Sequence, residues 1–438
     1  MSIVGKREPT APESGWKLSM RKEKDRIIRT ILNQTSSVDS IRKIEKRRGS
    51  KSDPVASEWW KSYLLGVPAE TATKNGRLKF LDLFSATGGL SLGFKEAAIA
   101  MGYEVDSLLA VDTDKRALEV YERNHKPLFT ISTNVNNLVD YSFSPYEKFQ
   151  LDSIPTLVAE ELKALNGDVD VVLAGPPCKG HSSLNNVSRN NDPKNRLYIE
   201  PAVIAIALGA RGIIIENVPG VQRDHGTICE KTEKLLCSNG YQTLGVTLKA
   251  DEMGWPQTRH RYFLIGVKDG DVDLGKSVVS SLSAKPRPMS WAIDDLLGLD
   301  GKTIFDQTPK LSEDNRGRIK WLDENDETEL PDEHRPWCHR ENEHSYKSSY
   351  GRMRWDRPSG TLTTGFMTPG RGRFVHPKAR RVLTPHEAAR LQGFPDGYFC
   401  EDLESGPFRR TELGKWIGDA VPAPLGFAAS LALIAQFS

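Results

Sequence analysis

Cys178 ends the stretch Val171-Val-Leu-Ala-Gly-Pro-Pro-Cys178. The apolar run Val171 to Ala174 reads as a buried strand. Gly175-Pro176-Pro177 then continues neither a sheet nor a helix. A thiol on such a turn, beyond the carboxyl end of a strand, stands where open α/β sheets bind ligands, and it can act as a nucleophile. A lone cysteine is more often a small buried apolar side chain, so the case for chemistry rests on its companions. Gly212-Ile-Ile-Ile-Glu-Asn217 is a second apolar run, and it ends in a carboxylate, Glu216. A glutamate there must be paired, solvated or functional. Gln257, Arg259 and Arg261 alternate before the apolar run Tyr262 to Val267. They share one face of an extended segment, either as a solvated strand edge or as the cationic wall of a pocket.

These groups need a scaffold, and the order of elements predicts an α/β one. Arg77 to Phe84 reads as a strand, and Ser85-Ala-Thr-Gly-Gly-Leu90 as a turn into a helix over 90–101. A glycine-rich strand-to-helix turn lets backbone N–H groups approach a ligand closely. Ser107 to Asp112 is a second strand. Asp112 follows Gly88 by 24 residues, a spacing at which an acid meets ribose hydroxyls in nucleoside-binding sheets. It could equally cap the next helix. Further strands are expected near 129–135 and 243–250. Further helices are expected near 157–165, 197–208, 229–239 and 423–437. Thr384, Pro385 and Glu387 carry the signature of a capped helix start. Regular pattern weakens from about Asp269 to His376, predicting a separate irregular zone.

The composition is that of a globular protein, 38% hydrophobic and 27% charged. No run is expected to span a membrane and no secretion signal is visible. Five scattered cysteines fit a reducing, cytoplasmic setting rather than a disulfide framework. The net charge is only +2, but residues 1–75 hold 16 Lys/Arg against 9 Asp/Glu, and residues 335–381 hold 11 against 3. Two basic zones on a near-neutral chain predict a polyanionic partner. Residues 18–47 are expected to form one or two basic helices of an unspecialised arm. His334, Cys338, His339 and His344 match no usual zinc spacing, so no metal site is predicted.

Taken in order, these blocks resemble the DNA (cytosine-5)-methyltransferases of bacteria and phages. Asp82 to Phe94 is similar to the family's methyl-donor loop, Gly175 to Cys178 to its nucleophile motif, and Glu216-Asn-Val218 to its acid motif. Gln257-Thr-Arg-His-Arg261 matches Gln-x-Arg-x-Arg. Arg390 to Asp396 and Gly418 to Pro422 match the two C-terminal blocks.

The resemblance implies a doubly wound, mostly parallel sheet of the S-adenosylmethionine-dependent type with a smaller target-recognition domain. The expected divisions are a basic extension over 1–76, a catalytic domain over 77–275, target recognition over 276–376 and a C-terminal return over 377–438. It implies Cys178, Glu216, Arg259 and Arg261 as catalytic. Phe84, Ser85, Ala86, Thr87, Gly88, Gly89 and Leu90, with Asp112, Thr113, Asn134, Val135, Pro177, Asp419 and Ala420, would surround S-adenosyl-L-methionine. Gln257, Arg352, Arg354, Arg371 and Arg373 would meet double-stranded DNA. A monomer working beside a cognate restriction endonuclease is implied as well. Three positions depart from the pattern: Ala86 replaces a usual glycine, Asn134 an aspartate and Asp419 an asparagine. The alternatives are a tRNA-directed member of the family and a catalytically weak DNA-binding homologue.

Overall fold

The computed structural model describes residues 16–32, 37–44, 54–71, 75–144, 150–177, 197–224, 227–299, 301–337, 348–399 and 403–437. Cys178, Cys338, His339 and His344 lie outside them. The first elements correct an expectation. Lys17–Glu23 (β1), Arg26–Leu32 (β2) and Ser37–Lys43 (β3) are antiparallel strands, not helices. Ile27, Ile28, Ile31, Val38 and Ile41 are β-branched and favour the pleated surface. β3 alternates, burying Val38, Ser40 and Arg42. The basic residues, read as a solvated helical face, belong to a period of two, and two of the arginines point inward. The helix Val55–Leu64 (α1) follows, and Ala69–Thr71 (β4) completes the sheet beside β3.

The main α/β body begins with Gly76–Leu83 (β5), Gly89–Ala100 (α2), Tyr103–Asp112 (β6), Lys115–His125 (α3) and Phe129–Ser132 (β7). A two-stranded excursion, Val139–Asp140 (β8) and Thr156–Leu157 (β9), leads through Glu160–Ala164 (α4) to Val171–Ala174 (β10). Then come Glu200–Leu208 (α5), Gly212–Asn217 (β11), Ile228–Ser238 (α6), Tyr241–Lys249 (β12) and His260–Lys268 (β13). The sheet order is β12-β13-β11-β10-β5-β6-β7. Five strands are parallel; β13 runs antiparallel beside β11, and β12 beside β13. Its central strands β10, β11 and β13 read as apolar runs because both faces are covered. Leu173 and Ile214 face one core with α2, while Val172, Ile213 and Ile215 face the other with α5.

Val272–Ser281 (α7) is regular and packs on β12 with Gly275 and Val278 buried, although this stretch was expected to be irregular. Met289–Ile293 (α8) and Glu313–Glu324 (α9) follow. Pro385–Gln392 (α10) starts with the predicted capping box: Glu387 N donates to Thr384 Oγ1 (3.2 Å) and Thr384 N to Glu387 Oε2 (2.9 Å). Arg410–Asp419 (α11) and Ala423–Ile434 (α12) close the chain. Contrary to expectation, Arg410–Ile434 has the length and apolarity of a membrane span, but 89% of its most apolar window is buried inside the protein. α12 lies directly on α2. A Cβ on Gly93 would stand 2.4 Å from Phe427 N and 2.5 Å from Ala423 O, so glycine is required for this approach.

Candidate active site

Register places the expected site residues along one edge. Leu83 pairs with Ala174 and Val111, and Ala174 with Ile215. The next residues, Phe84, Asp112, Gly175 and Glu216, therefore emerge together at the carboxyl ends of β5, β6, β10 and β11. β13 runs the other way, with Tyr262 opposite Asn217, so Arg261 enters at the same edge.

The turn after β5 is left-handed at Phe84 (φ 57°), Ala86 (φ 45°) and Gly88 (φ 88°). Asp112 holds it: Oδ2 accepts from Ala86 N (2.8 Å), and Oδ1 accepts from Asp114 N (2.8 Å). Asp112 does not cap α3; Asp114 does, accepting from Ala117 N (3.2 Å). Asp112 is half-buried, Thr113 and Asn134 are exposed, and Val135 is in the core. Beneath the turn, Ser91 Oγ donates to Asp82 Oδ2 (2.6 Å) and lies 2.9 Å from Tyr121 Oη. Burial pushes the Asp82 carboxyl up to about 7, against the Ser91 bond and with help from Asp112. Ala86 pays the steric cost that L-residues meet in this region. Ala86→Gly is therefore expected to raise the unfolding free energy, by up to about 1 kcal/mol, as measured by urea denaturation.

Glu216 is 6% exposed, and its Oε1 is 2.7 Å from Arg261 Nε. Burial raises its pKa above the usual carboxylate range, while Arg261 and Arg259 oppose the rise. Asn217 Nδ2 donates to Pro176 O (3.2 Å), joining the end of β11 to the turn that precedes Cys178. Nothing but its place beside Glu216 could have singled it out. Half-buried Pro177 is the last described residue before the cysteine.

Gln257 and Arg259 share a face, as alternation predicted, but that face is buried. Gln257 Nε2 donates to Leu391 O (3.3 Å), and Arg259 Nη1 to Leu362 O (2.7 Å) and Gly418 O (3.1 Å). They tie β13 to α10, to the 359–364 segment and to α11. Asp419 is exposed on the last turn of α11, and Ala420 is buried. A Cβ on Gly89 would meet Val421 O at 2.6 Å, so this return abuts the start of α2. The converging elements meet around Gly175. A Cβ there would have Glu216 Oε2 at 3.8 Å, Phe84 O at 3.9 Å and Val421 Cγ2 at 4.0 Å as its nearest neighbours.

The family model for C-5 cytosine-specific DNA methylases matches residues 78–434. The chain belongs to this family. The methylase is 39% identical over 354 residues to the Type II methyltransferase M1.BsuMI of Bacillus subtilis, covering 81% of this chain and 80% of that one. It is 28% identical to the Type II methylase M.HgiDII of Herpetosiphon aurantiacus, covering 79% and 92%. A solved structure described as a DNA modification methyltransferase encoded within an E. coli prophage superposes with TM-score 0.54 at 25% identity, covering 82% of the methylase and 99% of that chain. The methylase is thus a DNA (cytosine-5)-methyltransferase with S-adenosylmethionine as methyl donor. The site fits that donor. It offers a half-exposed carboxylate, Asp112, and a turn with two side-chain-free positions, Gly88 and Gly89, at the edge where Gly175 and Glu216 emerge.

The matched segment starts after β4, so the methylase carries β1–β4 and α1 ahead of it. Of the four arginines expected to meet DNA, Arg354 and Arg371 are exposed. Arg352 pairs with Asp326 (2.8 Å) and donates to Pro377 O (2.7 Å), while Arg373 bonds Thr328 O (3.1 Å) and pairs with Glu329. These two arginines brace the 326–329 loop.

Proposed function

We propose that the methylase transfers the methyl group to carbon 5 of a flipped-out cytosine through a covalent adduct at Cys178. The buried Glu216–Arg261 pair, at the sheet edge beside the Pro176-Pro177 turn, is the observation that carries this reading. Carbon 5 of cytosine is a poor nucleophile. Addition of the Cys178 thiolate at carbon 6 makes it enamine-like, and cysteine both attacks and leaves readily. S-adenosylmethionine, when bound, supplies an electrophilic methyl group. Glu216, whose pKa burial raises against the pull of Arg261 and Arg259, holds ring N3 and gives or shares its proton as charge develops there. Arg261 orients Glu216 and faces the base carbonyl; Arg259 holds the wall on which Arg261 stands. Loss of the carbon 5 proton and of the thiol then releases product. A base within a duplex cannot reach this edge, so it leaves the stack first.

Phe84 to Leu90, Asp112, Thr113, Asn134, Val135, Pro177, Asp419 and Ala420 form the donor site in this reading. Residues 276–376 read the target, with Arg354 and Arg371 supplying contacts to phosphate or guanine. The Type II relatives support a role in DNA protection, as a monomer paired with an endonuclease for the same site. DNA carrying 5-fluorocytosine at the target tests the chemistry, because fluorine cannot leave as a proton does. The expected result is an adduct that survives denaturation and maps to Cys178, with none formed by Cys178→Ala. An adduct mapping to another residue refutes the mechanism.

A further inference from the structure

We propose that Tyr398 and His125 are positioning residues for the methyl donor: together they hold the Thr87–Gly88 peptide in the conformation that the donor meets. This rests on the reading of Phe84 to Leu90 as the donor turn. Tyr398 follows the Arg390–Asp396 block and is buried among the aromatic rings of Phe394 and Phe399. Its hydroxyl donates to Thr87 O and lies 2.7 Å from His125 Nε2. A phenol has one proton to give. With that proton on Thr87 O, the phenol oxygen accepts, so His125 presents Nε2–H. Burial, reinforced by Lys95, keeps His125 neutral, outweighing its backbone bond to Gly88. Nδ1 then carries only a lone pair, and it is buried without a hydrogen-bond partner among the described residues.

Gly88 makes the arrangement possible. A Cβ at its position would stand 2.4 Å from His125 Nε2 and 2.9 Å from Tyr121 Cδ2. The Thr87 carbonyl points inward to Tyr398, while Gly88 N donates to Ser85 O (2.8 Å). With left-handed residues at 86 and 88, a flip of the peptide between Thr87 and Gly88 is the motion that the tyrosine opposes. α3 is thus fixed to the turn at both ends, through Asp112 ahead of it and His125 at its close. Asn124 Nδ2 adds a bond to Tyr398 O (3.0 Å).

Tyr398→Phe keeps the ring and removes the hydroxyl. It is expected to weaken S-adenosylmethionine binding about tenfold by calorimetry, because a buried carbonyl loses its donor. KM for the donor should rise in step, with kcat at saturating donor and DNA affinity within about twofold of wild type. His125→Leu should weaken donor binding similarly, while His125→Gln, which retains an N–H donor, should recover most of it. Asp112→Ala is measured in parallel. If Asp112→Ala weakens donor binding and Tyr398→Phe does not, the positioning role is overturned while the donor turn stands. If neither changes donor binding, the turn itself has been misassigned. If Tyr398→Phe lowers kcat, DNA affinity and donor affinity together, Tyr398 supports the fold in general and the proposal fails.

Discussion

Glu216→Gln is expected to lower the rate of methyl transfer in a single turnover by about 10²- to 10⁴-fold, the range for removing a general acid. Glutamine can hold ring N3 through an N–H but cannot release a proton to it. The glutamine amide also occupies the place of the carboxyl beside Arg261, so binding of donor and DNA should stay within about twofold. The pH profile separates proton donation from simple positioning. Burial raises the Glu216 pKa although Arg261 and Arg259 pull against it. The protonated, donating form therefore persists to higher pH than for an ordinary glutamate, and activity falls as pH rises through that raised value. In the variant this limb should vanish. A loss of less than about tenfold, or an unchanged alkaline limb, would show that Glu216 is not the acid.

The second large effect lies where the family-matched segment meets the strands ahead of it. Glu96 on α2 is buried between Arg29 of β2 (2.9 Å) and Arg42 of β3 (2.6 Å), and accepts from Trp59 Nε1 of α1 (3.2 Å). Both guanidinium groups also lie against the Trp59 ring, at 4.3 and 4.7 Å from its centroid. Burial opposes ionisation of Glu96, but Arg42 and Arg29 outweigh it and hold its pKa below the usual value. Glu96→Gln leaves two like charges buried without their counter-charge and should cost about 3–5 kcal/mol of unfolding free energy, read by urea denaturation. A lowered carboxylate pKa means that this stabilisation is present above the ordinary glutamate range and is lost as pH falls through the lowered value. The wild type should therefore show an acid-dependent loss that the variant lacks. A change below about 1 kcal/mol would mean that β1–β4 are only loosely attached. The sheet β1–β4 and α1 are accordingly no loose arm: without them α2 loses both partners of Glu96 and the side chains that bury it.

The catalytic sheet was legible because its strands are covered on both faces and so appear as continuous apolar runs ending in Asp112, Gly175 and Glu216. The capped start of α10 was equally plain, since its cap residues are adjacent in sequence. The N-terminal sheet was misread because Arg29 and Arg42 were counted as solvated charges. Their partner Glu96 is 67 and 54 positions away, and nothing local marks it. Gln257 and Arg259 show the same limit: alternation placed them on one face, but only the fold reveals that this face holds backbone carbonyls from α10, the 359–364 segment and α11. Tyr398 acts through hydrogen bonds to Thr87 O and His125, far away in sequence, which leaves no pattern in the chain.

The close packing of α2 against α12 has a consequence for biosynthesis. Gly93 and Gly426 are 333 positions apart, and synthesis proceeds at about 5–20 residues per second. The apolar flank of α2 is therefore made roughly 17 to 70 seconds before the helix that covers it leaves the ribosome. During that interval the strands already synthesised ahead of α2 can fasten its other flank through Glu96. The strands that precede the family-matched segment thus shelter one flank of α2 while the helix that covers its other flank is still unmade.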